Sequence, residues 1–246
     1  MLQKVEGIVL KTVKIGDNKM IVDLFTLGHG RMSFVAPITH SRQSKSQMAF
    51  WTPLSMVEFQ ADIRSTSSQL PKPKDVRLYY NYMDIPYNPL KSTISLFLAE
   101  FLTAALNTES VNLPLYRFVE TSLQWFDNIS SSASIANFHL VFLLRLTRFI
   151  GILPNLEMPD DVASPFFDLQ SSTFINIYPS HRYFLSVEES SLLPMLFRLN
   201  YSTMHLLRLT QAQRSRFLDV INLYYRLHVP SFPELKSISV LHEVFA

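Results

Sequence analysis

The hydrophobic positions change period once along the chain, close to Asn88. Before that point they read as strands. "GIVLKTVKIG" (7–16) and "KMIVDLFTLG" (19–28) are rich in Ile, Val and Leu, with polar residues spaced as on half-buried strands, and the short turn "GDN" separates them. Gly28 and Gly30 then turn the chain into a third strand, "RMSFVA" (31–36), because glycine reaches positive φ without a steric penalty. "PLSMVEFQA" (53–61) and "DVRLYY" (75–80) supply two more. Five short strands in this span predict a small barrel, and the OB-fold matches that size.

Beyond Asn88 the apolar residues recur at helical spacing. "NPLKSTISLFLAEFLTAAL" (88–106) has Asn88 placed as an N-cap and Pro89 at the first helical position. Three more helices follow. "LPLYRFVETSLQWFDNI" (113–129) is opened by Pro114, "SIANFHLVFLLRLTRFIGI" (134–152) by Ser134 as N-cap, and "TQAQRSRFLDVINLYYRLHV" (210–229) by Thr210. Residues 153–186 mix prolines, paired acids and a β-like piece, "TFINIY", and read as an irregular insertion. The chain shows no internal repeat and no low-complexity tail. The expected fold class is α+β: a five-stranded OB-fold barrel over residues 1–80, followed by a mostly α-helical domain over 81–246.

Composition narrows the function. With 246 residues, 48% of them hydrophobic, there is enough apolar material for a sizeable core. No run reaches the roughly 18 apolar residues needed to cross a bilayer, and Glu6 interrupts the first apolar stretch, so the expectation is a cytoplasmic protein. The absence of cysteine excludes disulfides, thiolate zinc sites and a cysteine nucleophile together. Phosphate loop, nucleophile elbow and HExxH motifs are all missing, and the seven histidines are scattered. His139, among apolar neighbours, reads as a core residue. Asp160–Asp161 and Glu188–Glu189 read as acids at helix starts, where the dipole favours them. The expectation is a protein without catalysis and without a cofactor.

Charge supplies the candidate site. Residues 1–80 carry eleven Lys or Arg against six acids, a net +5, whereas the remainder carries eleven against fourteen, a net −3. A basic front of this kind fits a polyanion, which it binds mainly by releasing counterions. Lys11, Lys14 and Lys19 flank the first hairpin, Arg31 opens the third strand, and Lys72 and Lys74 lie in the "PKPK" connection. The polar loop after the third strand brings His40, Arg42, Lys45 and Ser46 as phosphate donors. Next to it, Trp51, with Phe50, is the stacking candidate for an unpaired base, with core packing as its alternative.

"EGIVLKTVKIGDNKMIVDLFTLGHGRMSFVAP", with Lys45–Ser46 and "PLSMVEFQ" after it, resembles the N-terminal domain of the RecO family. "FHLVFLLRLTRFIGILPNLE" and "YYRLHVPSFPELKSISVLHEVF" are similar to that family's C-terminal domain, so the likeness spans nearly the whole chain. The resemblance implies a non-catalytic recombination mediator of the nucleoid that binds single- and double-stranded DNA. It also implies annealing of complementary strands coated with single-stranded-DNA-binding protein and, with RecR, loading of RecA. Relatives often carry a four-cysteine zinc site after "LPNLE"; here Phe166, Phe167, Phe174 and Ile177 are expected to pack in its place. The resemblance further implies that the helical domain captures the acidic, hydrophobic C-terminal tail of single-stranded-DNA-binding protein. Arg145, Arg148 and Phe149, on one apolar helix, are the residues expected to receive it. Salt bridges from the two arginines to Glu100, Glu120 or Asp127 are the alternative. A protein-adaptor module that never touches DNA is the rival function.

Overall fold

The computed structural model describes residues 2–38, 48–63, 69–107, 110–158 and 165–244. It contains an antiparallel five-stranded sheet followed by helices, the α+β class expected, with the sheet OB-fold-like but not closed. The strands are β1 (Gln3–Ile15), β2 (Lys19–Thr26), β3 (Gly30–Pro37), β4 (Met56–Ala61) and β5 (Lys74–Tyr80), in spatial order β3-β2-β1-β4-β5.

β1 is longer than the hydrophobic run that announces it, because its two halves serve different partners. Residues 3–8 pair with β4 and residues 7–15 with β2, with a register shift between Val9 and Lys11. A shift of this kind bends a strand, and the bend lets one strand belong to both sides of a curled sheet. Gly7 sits in the doubly paired stretch, where a Cβ would come within 2.9 Å of Leu24. Gly30 (φ +66°) makes the turn into β3, and Thr26 staples that turn by accepting from the His29 N–H and donating to the Gly30 carbonyl. Between β3 and the segment leading to β5, the Val35 N–H donates to the Pro71 carbonyl at 3.0 Å. The core inside the sheet holds Val9, Val22, Leu24, Phe34, Val57 and Phe59, with the Phe34 and Phe59 rings edge-to-face.

The helices are α1 (Pro89–Ala105), α2 (Leu113–Asn128), α3 (Ser132–Phe149), α4 (Val187–Arg198), α5 (Gln211–His228) and α6 (Ser237–Val244). Asn88 caps α1 as expected, accepting from the Leu90 and Lys91 N–H groups, and Thr210 forms a capping box with Gln213 on α5. Ser131, not Ser134, caps α3: its hydroxyl accepts from the Ser134 N–H, so the helix starts earlier than expected. The chain forms two compact units, residues 1–128 with 235–244, and residues 129–234. α1, α2 and α6 thus group with the sheet, and the second unit is inserted between α2 and α6.

Three polar contacts hold the first unit. Asp127 accepts from the Met83, Asp84 and Ile85 N–H groups at 2.8–2.9 Å, anchoring the chain as it leaves β5. Lys91, fully buried, donates to the Asp127 carbonyl and pairs with Asp84 at 2.7 Å. Glu100 accepts from the Lys236 and Ser237 N–H groups and from the Ser237 hydroxyl, so that α1 supplies the cap for α6.

In the second unit α3 is buried along most of its length, His139 included. Asn137 fixes the connection to α5 by donating to the Met204 and Leu207 carbonyls. Short strands β6 (Phe166–Asp168), β7 (Thr173–Ile175) and β8 (Phe184–Leu185) form a second sheet where the irregular insertion was expected. Phe167 and Phe174 pack edge-to-face at 5.1 Å, and Phe166 meets Tyr178 and Phe184. Ile177 does not join this cluster; it is 75% exposed, because it lies past the end of β7.

Candidate functional site

Strand alternation sorts the barrel's lysines. On the outer face of β1, β2 and β3, register places Lys11 beside Asp23 and Ser33, Val13 beside Ile21 and Val35, and Ile15 beside Lys19 and Pro37. Lys11 and Lys19 therefore bracket an apolar row on one face, in which Val13 and Ile15 are exposed. Lys14 lies on the opposite side of β1 with Thr12, whose hydroxyl donates to the Trp51 carbonyl, and stands exposed near the hairpin end. Lys72 and Lys74 are exposed at the start of β5. His40, Arg42, Lys45 and Ser46 lie outside the described residues.

Two of the expected nucleic-acid contacts have partners within the protein. Arg31 donates through Nη1 to the Thr103 carbonyl (2.7 Å) and to Asn107, and through Nη2 to Asp23 (3.3 Å). Its guanidinium clasps the barrel to α1 instead of facing solvent. Trp51 is buried in the core of the sheet with its ring 6.1 Å from that of Phe59, the core packing named as its alternative. Phe50 also packs against that core. On β1, β4 and β5 the cations Lys4 and Arg77 both pair with Glu58. The hydrogen bond between Lys4 and Glu58 is the main cause that raises the lysine's pKa and lowers the carboxyl's.

The second unit carries a groove of about 710 Å³ lined by Arg145, Arg148 and Phe149 of α3 and by Arg198 at the end of α4. Leu144, Pro154, Leu196 and Phe197 form its apolar floor. Arg145 and Arg148 are exposed, and the Arg145 guanidinium lies 5.7 Å from the centre of the Tyr201 ring, a cation–π arrangement that orients it. The carboxylates considered as their alternative partners are engaged within the first unit. Glu100 holds α6, Glu120 binds Arg117 and the Tyr79 hydroxyl, and Asp127 holds residues 83–85. Arg198 was not recognised from the sequence. Its signal was the box Ser186-x-x-Glu189, which opens α4 and places Arg198 in the last turn.

Other charged clusters are structural. Glu189 completes the capping box and pairs with Arg216 at 2.7 Å; its carboxyl is held below its ordinary range, chiefly by that arginine. Tyr79 and Tyr116, hydrogen-bonded to each other at 2.9 Å, are pushed well above the usual phenol range, first of all by burial. Among the described residues no cluster of His, Asp and Glu is arranged to hold a metal ion, and no helix is long and apolar enough to cross a membrane. Asp160 and Asp161 lie outside the described residues.

The protein thus carries exposed lysines on an OB-like sheet and an arginine-lined groove in its helical unit. The family description "Recombination protein O N terminal" matches residues 1–81, and "Recombination protein O C terminal" matches residues 86–237. The chain is 45% identical over 246 residues to the DNA repair protein RecO of Phocaeicola vulgatus, and 43% identical over 246 residues to that of Bacteroides fragilis; each match covers 100% of both chains. At 31% identity it matches the RecO of Christiangramia forsetii over 246 residues. The chain belongs to the RecO family of DNA repair proteins.

Proposed function

We propose that this chain is a non-enzymatic recombination mediator with separate sites for DNA and for a protein tail. The barrel's exposed lysines, Lys11, Lys14, Lys19, Lys72 and Lys74, together with Arg42 and Lys45, contact phosphates of single- and double-stranded DNA without reading bases. The groove of the helical unit takes the acidic, apolar C-terminal tail of single-stranded-DNA-binding protein. In this role the protein anneals complementary strands and, with RecR, helps to load RecA. Such a protein works in the cytoplasm, on the nucleoid. The observation that carries the reading is the groove: three arginine forks stand over an apolar floor, the pairing of chemistries that an acidic tail with apolar side chains requires.

Filter binding of a single-stranded oligonucleotide across a salt series tests the DNA half. Binding that weakens steeply with salt and ignores base sequence supports it; salt-independent binding, or none, overturns it. A second reading, a protein adaptor without DNA binding, is favoured by the apolar row Val13–Ile21–Val35, because the outer face of the barrel carries aliphatic groups there in place of stacking rings. Under that reading Lys11→Ala with Lys19→Ala leaves oligonucleotide retention unchanged.

A further inference from the structure

The small sheet of the second unit has one face turned inward and one turned out. Register and alternation put Phe167, Phe174 and Leu185 on the buried face, and Phe166, Asp168 and Phe184 together on the other. The chain leaving β7 lays Tyr178 against both outward phenylalanines: its ring centre is 5.5 Å from that of Phe166 and 5.1 Å from that of Phe184, edge-to-face in each case. Tyr178 nevertheless stays 69% exposed. Among the described residues one other aromatic ring is as open to solvent, that of Tyr87 in the first unit. A ring held by two others is oriented in advance, so it gives up little side-chain freedom when a ligand stacks on it.

Tyr178 lines a pocket of about 560 Å³ together with Ser180, His181 and Arg182 from the connection to β8, and Arg216 from α5. Arg182 is exposed, its guanidinium lies 5.3 Å from the centre of the Tyr183 ring, and among the described residues no carboxylate pairs with it. His181 is fixed: its Nδ1 accepts from the Tyr183 N–H, and its Nε2 faces Asp168 at 3.5 Å. Glu189, the carboxylate in the pocket lining, is taken up by Arg216 and by the Ser186 N–H. A cationic peptide therefore finds no free carboxylate here. An oriented ring beside a guanidinium free of carboxylates, with a hydroxyl next to it, suits a chain that carries π faces and negative charges in alternation, which is single-stranded nucleic acid.

We propose that this pocket is a second nucleic-acid contact, one that selects unpaired strands: Tyr178 stacks on a base, and Arg182 holds the phosphate beside it. This rests on the reading of the chain as DNA-binding and adds a contact of a different kind. The barrel's lysines meet the phosphates of single and double strands alike, whereas a duplex has its base faces covered by its own stack and cannot use Tyr178. The stacking ring sought at Trp51 in the barrel thus has its counterpart on the small sheet of the other unit.

The test titrates the full chain with three probes, read by fluorescence anisotropy: oligo-thymidine, an abasic strand of the same length, which keeps the phosphates and lacks the bases, and a duplex. The unaltered chain should hold oligo-thymidine at least about fivefold more tightly than the abasic strand, the lower end of what one base–aromatic stack is worth. Tyr178→Ala should bring that ratio close to one while leaving the abasic strand and the duplex bound as before. Tyr178→Phe, which keeps the ring, should behave as the unaltered chain. Arg182→Ala should lower the salt slope on both single strands by about 0.7, the share of one phosphate. Equal affinity of the unaltered chain for oligo-thymidine and the abasic strand, which needs no variant, overturns the pocket. So does a folded Tyr178→Ala protein that keeps the ratio, or one that weakens all three probes equally, because the ring is then structural. Failure of the unaltered chain to bind any of the three overturns the DNA reading itself.

Discussion

Asp127→Asn is the sharpest probe of how the barrel unit is held. The carboxylate is 2% exposed and collects four donors: Oδ1 takes the Asp84 and Ile85 N–H groups, and Oδ2 takes the Met83 N–H and the Tyr80 hydroxyl. Burial alone would raise its pKa, but the backbone donors of Ile85, Met83 and Asp84, with the Tyr80 hydroxyl, outweigh that and hold it below the ordinary value of 3.8. Asparagine keeps one oxygen and puts an NH₂ where the second stood, so the Met83 N–H and the Tyr80 hydroxyl face a donor. A buried donor left unsatisfied costs about 1–3 kcal/mol and a hydrogen bond to a charged group contributes about 1.5–3, so the expected loss is about 3 kcal/mol. Both tryptophans, Trp51 and Trp125, belong to this unit, so tryptophan fluorescence during urea unfolding reports on it and not on residues 129–234. With a slope of about 1–3 kcal/mol per molar urea, the midpoint should fall by roughly 1–3 M at neutral pH. Because the folded pKa is depressed, the carboxylate's contribution is fully present above 3.8 and is lost as pH falls through the lower folded value. The gap between the two proteins should therefore hold from pH 7 to pH 5 and narrow below about pH 4. A change under about 0.5 kcal/mol at pH 7, or a gap that persists unchanged into strong acid, would refute the charged cap.

Three further outcomes are expected. On duplex DNA, neutralising about four to six phosphates should make log affinity fall against log salt with a slope of about −4 to −5, measured by filter binding. Arg145→Ala or Arg148→Ala should each weaken an acidic peptide about ten- to a hundredfold while sparing DNA, and Arg42→Ala with Lys45→Ala should do the reverse; circular dichroism first shows the variants folded. Elemental analysis should find no stoichiometric zinc, and chelator should leave the thermal midpoint unmoved, because the chain offers no cysteine ligand.

What could be read from the sequence was local, and what could not was mostly long-range. Asn88 with Pro89, and Thr210 with Gln213, announce helix starts through residues only a few positions apart, and both helices begin there. At Ser131–Ser134 several serines can cap, and neighbouring residues do not choose among them; the structure uses Ser131. Of α4 only the start at Glu188–Glu189 was legible, because Pro194 interrupts the helical pattern that leads on to Arg198. The first half of β1 was missed because pairing with β4, some fifty residues away, holds Gln3–Glu6 extended. The same distance effect governs the sites. Arg31 has the residue type of a phosphate contact, but its partner at Thr103 is 72 residues on. Trp51 has the ring of a base-stacking residue, yet it packs into the core beside Phe59. Arg145 and Arg148 were identifiable as a pair on one helix; that Arg198 and Tyr201 stand with them depends on how α4 folds back.

The kinds of cation in the two units support a division of labour between them. The barrel unit holds nine lysines and five arginines, whereas residues 129–234 hold eight arginines and no lysine. Lysine is a compact, strongly hydrated point charge on a flexible stem, suited to meeting phosphates at many registers. Arginine presents a planar fork that matches a carboxylate in two bonds and stacks on rings, as Arg145 does on Tyr201. The function proposed above needs loose electrostatics in one place and directional contacts in the other. Replacing Arg148 by lysine keeps the charge and removes the fork, so it separates the two requirements. If the groove reads carboxylate geometry, peptide affinity falls with Arg148→Lys almost as far as with Arg148→Ala, and DNA binding stays where it was. If charge alone matters there, Arg148→Lys binds the peptide as the unaltered chain does, and the groove is then a basic patch of the same kind as the barrel's.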